Sequence, residues 1–507
     1  MRIKKIIPVF GVFLLFCLVV PEHPRAASLK VPVGDWKYEA VERIALAWGI
    51  AYPLNSRPMN RLDMARIVSQ ARALQDANTE KRSDHLEGLL SLLEEDLGLA
   101  AEDRERPGHE TGIRTYTGIT LEGAFAHGPV IEENNAGDTL GDGWHGRVIP
   151  EWGFETSALA GALAPRLWLD GHDDETADVL RLYLAVEGER IGIAGGRDSL
   201  WWGPGRHGAW VLTNNAPPLD LVRLYNPYPY SLGFLGTFRF ALLYGRTSAM
   251  PVRYRESGAE VTVFTKPHFG GMRIDFSPSP RFEFGASMAA HFIGRDGLSL
   301  DDVKEVFFPR HKAVNREETE GPVTDRVASF DASLNLSLPF RRLRGMRAYV
   351  EYGGTDLSFV DRFYPRLTDV ATLYGLYIDT GATDLRVEYA QNLDHDDTRW
   401  YTHGQFLDGY THDGSIIGHA MGGAARDVWV RMTHPFGVRW RVSVDYEHLL
   451  RKERYGSIPG RQNGIRFGLR HVGAHVQAGI EYEYERGEWQ GIGEEGHLLL
   501  VCWTRRL

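Results

Sequence analysis

The sequence predicts an all-β transmembrane barrel, antiparallel and of about 18 strands, preceded by a small α-helical domain. The chain has 507 residues and combines 56 glycines with 11% aromatic residues, which suits many turns in a large β-sheet. Beyond the first twenty residues no apolar run approaches the ~20 residues that a spanning helix needs. From about residue 115 to the end, apolar and polar residues alternate with a period of two. In a membrane barrel that alternation places apolar side chains against lipid and polar ones in the lumen.

The N-terminus, residues 1–27, predicts an export signal. Basic residues among the first five precede an apolar run over 6–20, and Ala26 and Ala27 offer small residues for cleavage. An uncleaved anchor helix is the alternative, although the apolar run is short for one. Together with the barrel pattern, this signal predicts the outer membrane of a Gram-negative bacterium, with its lipids as partners.

Cysteine content and charge exclude some classes of function. Only Cys502 follows the predicted signal, so neither an intramolecular disulfide nor a cysteine-based metal cluster is expected. The formal net charge of −10 argues against a nucleic-acid partner, because nucleic acids bind to positively charged protein surfaces.

Residues 28–105 predict a helical domain on the periplasmic side. Tyr38, Val41, Ile44 and Trp48 recur at three- and four-residue steps, as on one face of a helix. Asp35 is expected to cap this helix and Gly49 to end it. Two further helices are predicted from about 62 to 74 and from about 84 to 97.

Residues 106–114, with Pro107 and Gly108, are expected to be a linker, and 115–507 the barrel. Alternation is clear where Leu182 and Leu184 flank Tyr183, and the same pattern recurs near the C-terminus. A soluble sandwich is the alternative for such strands. Charged residues at nearly every polar step, and a pattern that continues to the last residues, favour the barrel.

Two sequence blocks carry a family resemblance. The first is Gly195–Gly205, GGRDSLWWGPG, followed by LTNNAP at Leu212–Pro217. The second is Tyr410–Gly423, with a Gly-His pair and two later glycines. Together they resemble the Wzi-type capsule assembly proteins of the outer membrane. The motif residues that carry the resemblance are Gly203, Pro204, Gly205, Gly418, His419, Gly422 and Gly423.

This resemblance implies an outer-membrane barrel of about eighteen strands that binds capsular or extracellular polysaccharide and anchors or organises it at the cell surface. It implies a lectin-like activity, with no catalysis and no cofactor. The N-terminal segment is similar to a single surface-layer-homology module, on Trp36, Tyr38, Arg61 and Arg66. Such modules bind cell-wall polymers, which implies peptidoglycan as a further partner; a plain periplasmic bundle is the alternative.

Sugar binding needs aromatic faces and planar polar groups, and the two blocks with the long segment before the second supply both. The polysaccharide-binding candidates are Trp400, Tyr401, His403, Tyr410, His412, Arg197, Asp198, Trp201, Trp202, Asn214 and Asn215. An external loop gains nothing by exposing the aromatic and imidazole groups of residues 400–412 unless something binds there. Arg197 suits the carboxylate of an acidic sugar.

Each of these candidates also has a structural interpretation. Paired tryptophans beside Gly-Pro-Gly are typical of a loop that folds into a barrel, and Asn214 and Asn215 could satisfy backbone groups in a turn. His419 is expected to be packed and hydrogen-bonded. Asp394, His395, Asp396 and Asp397 match no standard calcium loop, so a solvated loop is expected there and no metal site is predicted.

The main alternative function is a porin or transporter of small solutes, tethered to peptidoglycan by the N-terminal domain, because a barrel of this size can hold water. An enzyme is disfavoured, since no catalytic constellation stands out around the serines.

Overall fold

The computed structural model describes residues 27–77, 84–99, 112–130, 132–169, 177–256, 259–294, 299–307, 322–340, 343–360, 364–393, 399–453 and 458–506. The predicted export signal up to residue 26 and most of the predicted linker lie outside these ranges. Among the described helices, none combines the length and the apolar character needed to cross a membrane.

Three helices open the described chain: α1, Lys37–Trp48; α2, Arg61–Ala77; and α3, Asp84–Asp96. They lie where the helical periodicity predicts them. The carboxylate of Asp35 accepts a hydrogen bond from the backbone N–H of Lys37 at 3.0 Å. Gly49 ends α1 in the left-handed region, with φ 65°, where a residue without Cβ is favoured.

The apolar faces of the three helices share one core, which extends to the barrel wall. Ile44, Val68 and Leu90 are completely buried in it. Val472, which belongs to a barrel strand, is part of the same cluster. The helical bundle therefore packs directly against the barrel.

The barrel is a single closed antiparallel sheet, as the sequence predicts. Its eighteen strands are β1 Arg114–His127, β2 Gly143–Glu155, β3 Leu159–Trp168, β4 Ala177–Glu187, β5 Gly192–Asp198, β6 Leu219–Tyr225, β7 Thr237–Arg246, β8 His268–Ser279, β9 Phe282–Ile293, β10 Val323–Phe340, β11 Leu343–Gly354, β12 Ala371–Asp379, β13 Asp384–Gln391, β14 Ala425–Phe436, β15 Trp440–Arg451, β16 Gly460–Val472, β17 Val476–Trp489 and β18 Ile492–Arg506.

Each strand pairs with the next one in the chain, and β18 closes the sheet by pairing with β1. The closing register runs from Gly118↔Arg506 to His127↔His497. The two-residue strand Tyr230–Ser231 pairs with β7 beyond the end of β6. It therefore continues the pairing of β7 on the side where β6 lies. Closure satisfies the backbone groups of both terminal strands, which lipid requires.

Successive side chains of the strands alternate between the two faces of the wall. Leu182 and Leu184 on β4 are about half exposed on the outer face, whereas Tyr183 between them and Ala185 after them are buried. Inward-facing charges form ion pairs across neighbouring strands, such as Arg466–Glu483 at 2.8 Å. An apolar outer face with a charged interior confirms the membrane barrel and excludes the sandwich.

The two ends of the barrel differ. At one end, here called the N-terminal rim, β1 begins and β18 ends, and the connections are short, such as 280–281 and 473–475. The opposite end, here called the loop rim, carries the long connections: 128–142, 199–218, 247–267, 294–322, 355–370 and 392–424. The connection 294–322 contains a helix, α4, Leu300–Phe307. Short turns on one rim and long loops on the other are typical of outer-membrane barrels.

The helical segment is fixed to the N-terminal rim by ion pairs. Arg43 on α1 contacts Asp379 at the end of β12 at 2.6 Å, and Arg506 at the end of β18 contacts Asp35 at 2.7 Å. The hydroxyl of Ser56 donates to Asp275 on β8 at 2.5 Å. The chain between α1 and α2 therefore reaches into the lumen.

The residues that resemble a surface-layer-homology module make contacts inside the molecule. Trp36 and Tyr38 are buried, Arg61 forms an ion pair with Glu155 of β2 at 2.5 Å, and the Arg66 guanidinium lies 3.9 Å from the centre of the Tyr228 ring. A peptidoglycan tether stays a prediction.

Candidate functional site

The paired tryptophans lie inside the barrel. Residues 199–218, here called the inward loop, turn into the lumen after β5, and Trp201–Trp202 pairs antiparallel with Ser56–Arg57. Both indoles are only 2% exposed. Gly203 donates its N–H to Asn55 O at 2.9 Å. The inward-folded loop expected as the structural interpretation of this motif is therefore what the structure has.

Three glycine-proline positions of the motif allow this close packing. Gly203 has φ 146°, and a Cβ there would lie 2.8 Å from both Ala209 Cβ and Glu351 Oε2. A Cβ on Gly205 would lie 2.0 Å from the carbonyl oxygen of Gly208. Pro204 between them is buried. The two glycines of the motif are therefore needed because neighbouring atoms pack too closely to leave room for a side chain.

A charged layer joins α1, the inward loop and the wall. Glu42 accepts hydrogen bonds from Arg206 at 2.6 Å, Arg386 at 2.8 Å and Arg347 at 3.0 Å. Burial opposes its charge, but the three guanidinium groups together hold the pKa of the Glu42 carboxyl well below its usual range. Glu388 on β13 in turn accepts from the backbone N–H of Arg206 at 2.6 Å. The loop is therefore held between helix and barrel.

Glu42 does not appear among the residues that the sequence singled out. A signal for it exists, because Glu42 follows Tyr38 by four residues and precedes Ala45 by three, which places a carboxylate within the apolar stripe of α1. The identity of its arginine partners has no local signal, since they lie 164 to 344 residues away.

The two motif blocks meet at the loop rim. Thr213 donates its N–H to Ile417 O at 2.9 Å and its hydroxyl to Gly418 O at 2.7 Å. The side-chain amide of Asn215 donates to Ile416 O at 3.0 Å. We call this set of contacts the cap seam. Asn214 links a third connection, because its amide donates to Asn134 O at 2.7 Å.

Trp400, Tyr401 and Tyr410 are buried, so the expectation that an external loop exposes them is wrong. The Tyr401 hydroxyl donates to Trp210 O at 2.8 Å, and the Tyr410 hydroxyl donates to Val211 O at 2.9 Å. Burial raises the pKa of both phenols well above the usual range. Together with the inward loop, these three side chains form a buried aromatic core at the loop rim, here called the cap core. The carbonyl groups of the inward loop also accept the hydrogen bonds of the two tyrosine hydroxyls.

His403 and His412 are half-buried and lie apart from that core. His403 Nδ1 accepts from the backbone N–H of Gln405 at 3.2 Å, and burial lowers the pKa of His403 to about 4. His412 Nδ1 accepts from the N–H of Ser248 at 2.9 Å, and its Nε2 lies 3.4 Å from the exposed Asp413 carboxylate. His412 thus borders the solvent at the loop rim.

Arg197 and Asp198 are neighbours in sequence but lie on opposite faces of β5. Arg197 is on the outer face, where it forms a two-pronged ion pair with Asp220, both bonds at 2.8 Å. Asp198 is buried and contacts Arg181 at 3.0 Å. Their charges therefore do not converge on one ligand.

His419 is buried beside Trp210, with ring centres 5.4 Å apart, and its Nδ1 accepts from the backbone N–H of Met421 at 3.2 Å. Burial holds its pKa well below the usual range. Gly422 follows with φ 77°, and Gly423 leads into β14. The positions Asp394, His395, Asp396 and Asp397 lie outside the described residues.

Replacing Gly418 by alanine is expected to destabilise the cap seam by about 1–3 kcal/mol. The added Cβ would lie 2.4 Å from both Trp210 O and the Tyr401 hydroxyl. Denaturant titration of the detergent-solubilised protein measures the loss. Gly404→Ala, on the same connection and with open space around its Cβ position, is the control. Equal midpoints for the two variants would contradict the assigned packing.

A family model described as capsule assembly protein Wzi matches residues 114–493. The search of curated protein sequences gives no match.

Among solved structures, the chain is similar to Wzi of Escherichia coli, described as an outer membrane protein involved in group 1 capsule assembly and a carbohydrate-binding β-barrel. The TM-score is 0.68 at 15% identity, and the match covers 94% of this chain and 99% of that one. At that identity the likeness shows the fold. Pseudomonas aeruginosa OccK3 matches with a TM-score of 0.46 at 12% identity over 78% of this chain and 96% of its own.

Proposed function

Because the chain belongs to the Wzi family of capsule assembly proteins, matched over residues 114–493, we propose that it binds capsular or extracellular polysaccharide at the bacterial cell surface. Its barrel lies in the outer membrane, with the loop rim outside and the helical bundle on the periplasmic side. It anchors the polymer through the loop rim, and the step is binding, without catalysis.

The observation that carries this proposal is the meeting of two segments inside the barrel. Trp201–Trp202 comes from the loop rim and Ser56–Arg57 from the N-terminal rim, and they pair within the lumen. Both segments are buried, and the Glu42 layer holds them to the wall. A porin needs a water-filled passage through this region. A lumen occupied from both ends favours a binding surface over a transport path.

The loop rim offers polar groups suited to a sugar polymer. Arg197 and Lys266 are cationic and solvent-accessible, and both interact electrostatically with His412. Both cations attract the carboxylate of an acidic sugar, which would bind the Arg197 guanidinium in place of Asp220. Asn214 and Asn215 are half-buried at the cap seam, where their amides donate to Asn134 O and Ile416 O. We propose this patch, Arg197, Lys266 and His412 with the two asparagines, as the contact surface.

Deletion of the gene is expected to release polysaccharide from the cell surface into the medium while total synthesis stays constant. Cell-bound and released polymer are measured separately in the deletion strain and in a strain complemented with the wild-type gene. An unchanged distribution between the two fractions would refute the anchor function and leave the transport alternative.

The double variant Arg197→Gln, Lys266→Gln is expected to weaken binding of the purified acidic polymer about tenfold, which corresponds to ~1.4 kcal/mol. Lys266 is exposed, and the variant removes only the partly exposed pair of Arg197 with Asp220, so the fold is not expected to change. Arg439→Gln is the matched control, because this exposed arginine, paired with Glu95 at 3.7 Å, lies on the opposite rim. Equal affinity of the double variant and the control would exclude the patch.

A further inference from the structure

A buried cluster at the loop rim joins four groups that can ligate a metal. His207 lies on the inward loop and Glu133 on the connection between β1 and β2. Asp427 and Glu447 project from β14 and β15 of the wall. The Nε2 of His207 lies 3.0 Å from Asp427 Oδ2, 3.3 Å from Glu133 Oε2 and 3.7 Å from Glu447 Oε1.

Three polar atoms of this cluster lack hydrogen-bond partners among the described residues. His207 Nε2, Glu133 Oε1 and Asp427 Oδ1 are each buried without a hydrogen bond of acceptable geometry among the described residues. The side chains of His207, Glu133 and Asp427 are 9%, 5% and 2% exposed. A buried polar atom without a partner costs about 1–3 kcal/mol, and charged groups cost more. His207 Nε2 faces three carboxylates without a hydrogen bond to any of them, and an ion between these groups would satisfy them.

From this geometry we propose that Glu133, His207, Asp427 and Glu447 bind one divalent transition-metal ion, of which zinc is the first choice. Ligand atoms at about 2.1 Å from a tetrahedral zinc lie about 3.4 Å apart. The three distances from His207 Nε2 bracket this value. One atom each of Glu133, His207 and Glu447 lies within 4.8 Å of the others. Asp427 is outside this group of three and approaches it at His207, so it becomes the fourth ligand when the site closes.

The charge of the surroundings agrees with a divalent ion. Arg451 interacts with Glu133, Glu447 and Asp427, and its guanidinium donates to Met421 O at 2.8 Å; Arg466 also interacts with Glu133 and Glu447. With His207 neutral as a ligand and Arg466 paired with Glu483 at 2.8 Å, three carboxylates face the guanidinium of Arg451, and a divalent cation neutralises the remaining negative charge.

The donor set distinguishes among metals. An imidazole nitrogen with carboxylate oxygens suits zinc and other first-row divalent ions. Calcium prefers six to eight ligands that are oxygen atoms, and the central ligand of this cluster is the imidazole nitrogen of His207. The ring of His207 is fixed for ligation because it stacks on Trp429, with ring centres 5.1 Å apart and planes 4° apart.

Such an ion links the inward loop and a second connection to the barrel wall. Binding to the folded state alone stabilises it in proportion to the logarithm of the free metal concentration. The proposed metal is thus a structural cross-link between the connections at the loop rim and the barrel wall. This proposal does not depend on the polysaccharide proposal.

The experiment uses the full-length protein without a histidine tag, purified in detergent, stripped with a chelator, incubated with Zn²⁺ and freed of excess metal. Mass spectrometry of the metal is expected to find one zinc per chain, and Zn²⁺ is expected to raise the melting temperature where Mg²⁺ and Ca²⁺ do not. Less than 0.1 zinc per chain would overturn the proposal.

Variants locate the ion. His207→Gln and Glu133→Gln are expected to lose the zinc and the thermal shift, whereas Glu453→Gln, an exposed carboxylate beyond β15, keeps both. Zinc retained in full by both cluster variants would overturn the assignment. Should either variant fail to fold, Co²⁺ added to the wild-type protein is expected to give visible bands that Zn²⁺ removes. Absence of those bands would count equally against the site.

Discussion

Replacing Glu42 by alanine is expected to cost about 3 kcal/mol of unfolding free energy and to loosen the segments that fill the lumen. The change leaves buried guanidinium groups without their shared carboxylate, and breaking a buried ion pair in this way costs about 3–5 kcal/mol. The lower end applies because Arg347 keeps Glu283 at 3.3 Å and Arg386 keeps the Tyr349 hydroxyl at 3.2 Å.

Two measurements check this result. Denaturant titration in detergent gives the stability, and single-channel recording in a planar bilayer gives the openness of the lumen. The wild-type protein is expected to conduct little, and Glu42→Ala is expected to open more often. Glu39→Ala is the matched control, because Glu39 lies on the same helix but is exposed, 3.7 Å from Arg431. Conductance and midpoints equal to those of the control would contradict the role of Glu42.

Trp210→Ala is expected to disrupt the cap core at a cost of about 3–5 kcal/mol, the usual range for a fully buried tryptophan. Trp210 is completely buried, packs against Trp400 with ring centres 5.0 Å apart, and donates its indole N–H to Glu351 O at 3.4 Å. Its carbonyl oxygen also accepts from Tyr401. The loss is expected to fall mainly on the connection 392–424, since the barrel strands keep their own hydrogen bonds.

Limited proteolysis measures this local opening. The connection 392–424 is expected to be cleaved faster in Trp210→Ala, with the barrel core intact, and polymer binding is expected to fall with it because the cap seam is lost. Trp144→Ala, which removes a 74% exposed tryptophan from β2, serves as the control. If the two variants are cleaved at the same rate, the inward loop does not support the cap.

The sequence also shows where local reasoning fails. Trp400, Tyr401 and Tyr410 look like exposed sugar contacts because they stand in a long polar segment. They are buried because the inward loop, about 200 residues earlier, brings Trp210 and Val211 against them. The composition of one loop does not predict which other loop packs against it.

The sequence by itself determined the barrel, its antiparallel order and the three helices before it. Those features depend on local periodicity, and each barrel strand pairs with its neighbour in the chain, so a reading along the chain suffices. Only the tertiary structure decided that Trp201–Trp202 meets Ser56–Arg57 inside the lumen, and that Glu133, His207, Asp427 and Glu447 converge. These contacts join side chains from segments that are distant in the sequence. Their burial depends on how the loops fold over one another, and local sequence periodicity does not predict that packing.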